Sequence, residues 1–393
     1  MLKYNFVYEL KLLLRSRWIQ VLSLLLLILF GFSAFNGKQK LDKRNEIIQN
    51  AQQEVEENDQ KMLALLDSVS QGMAVSVPRW QIPTSPVAVG NYYPRVAAME
   101  SQSMGFIATG QADLFTPFMK PKVYGDDYAL NFTEMTSPVQ LLFGSFDLAF
   151  VIVYLLPLLI IAFSYNVLSA ERESGSLRLL VSQPINLRYW VLQKLGLRFF
   201  WLSLLVIVTL IIAFLTMDVA IGNELSAFFS LVALTIAYML FWFALAFIIN
   251  LWGSSSARNA VSMLGLWVLL VLLVPSVLNQ FGASMYPMPS RTVMINEMRT
   301  KKIEVAKIQD EILDNYLRDH PEYALNDSTE TRTFWHRYMA SQKLVKEELE
   351  PIVSAYEVQL EKQQALTARF KWVSPPLTMQ ESLNALAGTS SAD

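Results

Sequence analysis

Apolar residues in this chain gather into long runs separated by charged or irregular stretches of very unequal length. A helix crossing about 30 Å of hydrocarbon at about 1.5 Å per residue needs about 20 mostly apolar residues. Windows of that kind fall at Trp18–Phe35, Leu148–Leu168, Phe199–Met217, Leu225–Trp252 and Ala260–Phe281. The last contains Pro275, which membrane helices tolerate because neighbouring groups re-satisfy the freed backbone. Ahead of the first window, YNFVYELKLLLRSRW sets Leu10, Leu13, Leu14 and Trp18 near one helical face beside basic residues. That pattern predicts an amphipathic helix at the interface, leading into the span. A cleaved signal peptide is the weaker reading, since the apolar run exceeds the usual h-region and SAFNG is a poor cleavage site.

Basic residues near span ends set orientation. Lys3, Lys11, Arg15 and Arg17 precede the first window, while Arg172, Arg178, Arg188, Lys194 and Arg198 follow the second, and Arg258 follows the fourth. The loop between the third and fourth windows carries Asp218 and Glu224 and no basic residue. The predicted layout is a cytoplasmic amphipathic helix at 1–17 and spans at 18–35, 147–168, 190–217, 225–252 and 259–281. The 190–217 span includes an amphipathic lead-in, a cytoplasmic loop occupies 169–189, and segments 36–146 and 282–393 lie outside.

Those outer segments are too long for connecting loops. The first opens with a charged helical pattern, KQKLDKRNEIIQNAQQEVEENDQKMLALLDSV, and then turns irregular and proline-rich. The second places two charged helical stretches between Arg291 and Trp372, separated around HPEYALNDST, and reads as a helical hairpin. One extracytoplasmic module built from both insertions is preferred to two independent arms, because neither alone offers much core. The fold class expected is therefore mainly α, a polytopic helical membrane protein with such a module.

Composition narrows the function. Among 393 residues, 53% are hydrophobic and 17% charged, with net charge −2, so no field attracts nucleic acid. The chain has no cysteine, which excludes disulfides and thiolate metal sites. GFSAFNGKQ superficially resembles a phosphate loop, but five residues separate its glycines and Gln39 stands where a Ser or Thr would bind magnesium. His320 and His336 sit in the outer hairpin without a catalytic pattern and read as solvated or packing residues. Met285, Met288, Met294 and Met298 are weak Cu(I) candidates, with adaptable apolar filling the preferred reading. No enzymatic site is expected. The apolar cores carry no charge, and Lys194 and Arg198 lie at a span end where they can snorkel, so energy for transport would come from another subunit.

The stretch SAERESGSLRLLVSQP, between the second and third windows, has its own logic. Glu171 and Glu173 end the span with polar groups, Ser174-Gly175 permits a turn, and Ser176 is placed to cap a short helix that Pro184 stops. Leu177, Leu180 and Val181 give that helix an apolar edge for a partner; the plainer reading is an ordinary interfacial loop. The order E-R-E-x-G-S-L-x-x-L-L-x-x-P closely resembles the coupling-helix segment of ABC-2 type transporter permeases. Arg15 and Arg17 similarly resemble the family's N-terminal connecting helix. The outer insertions, with WVSPPLTMQESLNALAGTS, resemble the branch grouped with permeases for multicopper-enzyme maturation.

The resemblance implies an ATPase-coupling interface at Arg15, Arg17, Glu171, Arg172, Glu173, Gly175, Leu177, Leu180 and Pro184. It implies an ABC ATP-binding subunit that binds ATP and magnesium, a second permease chain, identical or related, and no cofactor in this chain. Export across a bacterial cytoplasmic membrane, in contact with membrane lipid, is the expected activity, and an envelope partner is the expectation for the outer module. A sixth span, usual in the family, is expected after LAGT but no apolar run follows there. The rival from another class is a membrane scaffold or signalling protein whose outer module recruits an envelope partner without transport.

Overall fold

The leucine-rich run after Arg17 passes directly into Lys-, Glu-, Gln- and Ala-rich sequence, and both are good helix formers. They make one helix. The structure, a computed structural model, describes residues 2–99, 102–110, 116–122, 145–183, 186–217, 224–253, 255–288, 290–319 and 334–390. In it α1 (Leu2–Arg15) ends at Ser16, whose extended backbone breaks the helix, and α2 (Arg17–Ser70) then runs for 54 residues, about 80 Å at the α-helical rise. The first apolar window and the charged helix after it are thus a single rod, and the short α3 (Pro86–Tyr92), capped by Ser85, follows it.

The second apolar stretch is less regular. After one turn at Leu148–Phe150, a widened π turn occupies Val151–Leu155, and α4 (Leu156–Ser164) carries Pro157 in its first turn. Turn geometry at 165–168 leads to α5 (Ser169–Glu173), and α6 (Leu177–Val181) follows. Next come α7 (Leu187–Thr216), α8 (Leu225–Trp252) and α9 (Ser256–Trp267), with a second π turn at Val268–Leu273 ahead of α10 (Val274–Met285). Asn186 and Ser255 cap α7 and α9 by accepting from the backbone N–H groups of Arg188 and Arg258. Among the described residues five helices are long and apolar enough to cross a membrane: Arg17–Ser70, Leu148–Glu173, Leu187–Thr216, Leu225–Trp252 and Ser256–Met285.

The chain divides into two compact units, Met1–Leu272 with Pro375–Asp393, and Leu273–Ser374. Where the sequence pattern groups the two insertions into one module, this division runs differently. In the first unit, residues 102–110 of the first insertion carry Met104, Phe106, Ile107 and Ala108 into the same core as Phe30, Ile152, Phe214 and Met239. Asp147 anchors that loop: one carboxylate oxygen accepts from the Thr109 N–H (2.9 Å) and hydroxyl (2.8 Å), and the other caps the turn at Phe150 (2.8 Å). Helix α14 (Pro375–Ala387) adds Met379, Leu383 and Ala387 to the same core, and Thr389 donates to the Ala108 carbonyl at 3.0 Å. A two-residue antiparallel ladder pairs Ala97–Ala98 with Phe118–Met119.

The second unit holds α10, α11 (Arg291–Lys307), α12 (Gln309–Asp319) and α13 (Phe334–Phe370). Its helices close on a core of their own, Met298, Val305, Val345 and Leu349. The HPEYALNDST turn of the predicted hairpin, with His320, lies outside the described residues.

Candidate functional site

Opening a helix at 165–168 orphans backbone groups in an apolar interior, where an unpaired group costs on the order of 1–3 kcal/mol. Two asparagines answer this. Wholly buried Asn250 donates to the carbonyls of Ser164 (2.9 Å) and Ala246 (2.8 Å), and its Oδ1 accepts from the Leu168 N–H (3.3 Å). Asn259 donates to the Tyr165 carbonyl at 3.0 Å. The break after the second span is thereby held to α8 and α9.

Helix α5 meets the turn between those same helices. Arg172 Nη1 donates to the Gly253 carbonyl at 2.7 Å. Glu173 accepts from Ser256 twice, from the backbone N–H at 2.6 Å and from the hydroxyl at 2.9 Å, and the Ser169 and Ser256 hydroxyls lie 2.8 Å apart. A Cβ at Gly253 would collide with the Asn259 side chain, so the tight approach requires glycine there.

Glu171 turns the other way. Its carboxylate accepts from the Ser176 hydroxyl and pairs with Lys194 Nζ at 3.0 Å. Lys194 also pairs with Glu9 at 3.1 Å and lies 4.1 Å from the centre of the Trp190 ring. With a side chain only 10% exposed, this ammonium joins α1, α5 and α7. Lys194 and Arg198, expected to snorkel, instead face inward, and Arg198 donates to the Phe163 carbonyl. Sequence reasoning missed Glu9, whose only local signal is that it is the sole acid in an otherwise basic amphipathic helix. It also missed Ser256, for which no local signal exists.

The remaining sequence-derived residues divide. Gly175 has φ +78°, the left-handed turn the motif demands. Ser176 makes no cap, because its hydroxyl goes to Glu171. Leu177 and Leu180 are corrected from an outward edge to an inward one: they pack, half-buried, on the main core. Leu179 and Val181 are the exposed pair, at 71% and 62%. Leu179 falls between two positions three apart that share the buried face, and Val181 is the last residue of the helix. Arg15 and Arg17 flank the Ser16 break, both exposed. Pro184 lies outside the described residues.

Met298 is core in the second unit, Met294 packs against that core, and Met285 is exposed at the end of α10. GFSAFNGKQ is helical throughout, and Gly37 in it lies against the Phe106 carbonyl. Chemically, the site is a set of hydrogen-bonded joints between helices, suited to transmitting a displacement.

No curated protein matches the chain. Residues 6–391 match the family described as ABC-2 family transporter protein, whose members normally work with an ATP-binding subunit. Match and fold together place this chain in the ABC-2 transporter family, as a multi-pass membrane component of ATP-binding cassette transport.

Proposed function

We propose that this chain is the permease of an exporter in a bacterial cytoplasmic membrane, driven by a separate ATPase subunit that docks on the short helix Leu177–Val181. ATP and magnesium are held by that subunit, and a second permease chain, identical or related, completes the membrane part. Segments 36–146 and 282–393 lie on the outer side, where they receive or hand over cargo, as in the branch that includes multicopper-enzyme maturation permeases. The observation that carries this reading is the Lys194 ammonium, shared by Glu9 and Glu171. It ties the N-terminal helix, the turn after the second span and the lead into the third into one assembly. A partner pressing on exposed Leu179 and Val181 would move that assembly as a unit, and a ligand that binds one conformation better shifts the equilibrium toward it.

The chain has no native cysteine, so one introduced at Leu179 is unique. A photo-crosslinker attached there in native membranes is expected to capture an ATP-binding subunit. Reaction with an impermeant reagent from outside would overturn the orientation. Labelling from inside that captures no ATPase, beside a positive control, would point to a non-transporting scaffold whose outer segments recruit an envelope partner.

A further inference from the structure

We propose that Glu173 and Arg172 are positioning residues of the coupling step: they clamp the turn between α8 and α9, so that displacement of α6 is delivered to the fourth and fifth spans. This rests on the ATPase-driven reading above. The geometry argues against Glu173 as an ATPase contact, since both of its carboxylate oxygens already accept from Ser256.

Dipole direction explains why these two charges stand in this order. Helix α8 ends at Trp252, and the Gly253 carbonyl lies at its electronegative C-terminus. Helix α9 begins at Ser256, and its first backbone N–H belongs to its electropositive N-terminus. Arg172 takes the first and Glu173 the second, each the favourable sign for that helix end. Neighbours in sequence thus grip both sides of one turn. Charge-assisted hydrogen bonds are about twice as strong as neutral ones, and docking of a partner beside the exposed Arg172 and Glu173 would strengthen them by excluding water. Two residues beyond Glu173, Gly175 starts the turn into α6, so little slack separates the docking surface from the clamp.

Two substitutions break the clamp from opposite sides. Glu173→Ala removes both acceptors. Ser256→Pro removes both donors while leaving α9 intact: proline is favoured at the first helical position, and Ser255 before it is already extended (φ −143°, ψ 157°). Glu173→Gln keeps one acceptor for the Ser256 N–H and serves as the conservative rescue.

The experiment uses the whole chain in native membranes and two readouts. The first is capture of the ATPase by the probe at Leu179. The second is the labelling rate of a single cysteine at Phe229, an exposed residue near the far end of α8, with and without ATP. The expected result is that Glu173→Ala and Ser256→Pro capture the ATPase as the parent does but lose the ATP-dependent change at 229, which Glu173→Gln retains. Loss of capture in Glu173→Ala would make Glu173 a docking group and overturn the proposal. So would retention of both readouts, or a parent in which ATP changes nothing at 229. A parent that captures no ATPase defeats the transporter reading itself, and the clamp falls with it.

Discussion

Tyr238 donates its hydroxyl to the backbone carbonyl of Val153 at 2.9 Å, deep between the second and fourth spans. Pro157, four residues on, has no N–H to offer that carbonyl. One residue along, the Trp267 indole N–H donates to the Tyr154 carbonyl at 3.2 Å. The π turn at Val151–Leu155 is therefore stabilised from outside its own helix, by side chains of two others. Asn250 and Asn259 repeat the arrangement at the second break of the same span.

Tyr238→Phe leaves the Val153 carbonyl bare in an apolar interior while keeping the ring. We expect a loss of about 1–2 kcal/mol, the range for interhelical hydrogen bonds in membrane proteins and for buried unsatisfied carbonyls. Thermal unfolding in detergent measures it, and an unchanged transition would show that the carbonyl finds another donor.

Lys194 separates two carboxylates that would otherwise face one another, so its removal leaves more than one broken pair. Lys194→Met is expected to destabilise by about 3 kcal/mol, since breaking a buried ion pair from one side leaves uncompensated charge. Adding Glu9→Gln and Glu171→Gln to that variant should recover part of the loss. A triple variant no more stable than the single would mean that the carboxylates are well solvated once the lysine is gone.

Gly31 and Gly37 lie on the same helix and should respond oppositely to alanine. A Cβ at Gly31 meets open space, so Gly31→Ala should stabilise by up to about 1 kcal/mol through helix propensity. At Gly37 the Cβ would meet the Phe106 backbone, and residues 104–109 of that loop, all buried, have nowhere to retreat. Gly37→Ala should destabilise and expose that loop to protease. Equal behaviour of the two variants in limited proteolysis would argue that the loop does not lie against α2.

Local pattern was informative wherever a residue's role depends on its immediate neighbours. The five apolar windows, the amphipathic helix before the first and the glycine turn at 175 were all legible, because helix length, hydrophobic period and positive φ are properties of short segments. The charged stretch after Phe35 was legible as helix, and α2 joins it to the first apolar window without a break, since nothing in GFSAFNGKQK stops a helix. Leu177 and Leu180 read correctly as one face of a short helix and incorrectly as its outer face, because period alone does not say which side meets the core.

The sequence by itself determined that this is a helical, multiply spanning chain, because crossing a bilayer demands long apolar helices with self-satisfied backbones and no other arrangement of these runs meets that demand. It also determined that a charged, glycine-broken segment interrupts those runs after the second span. Only the tertiary structure decided what the charges do. Glu9 lies 185 positions before Lys194 and Glu173 lies 83 before Ser256, and hydrogen bonds act over about 3 Å whatever the chain separation. Which carboxylate reaches which donor is settled by helix packing, to which no single segment holds the key.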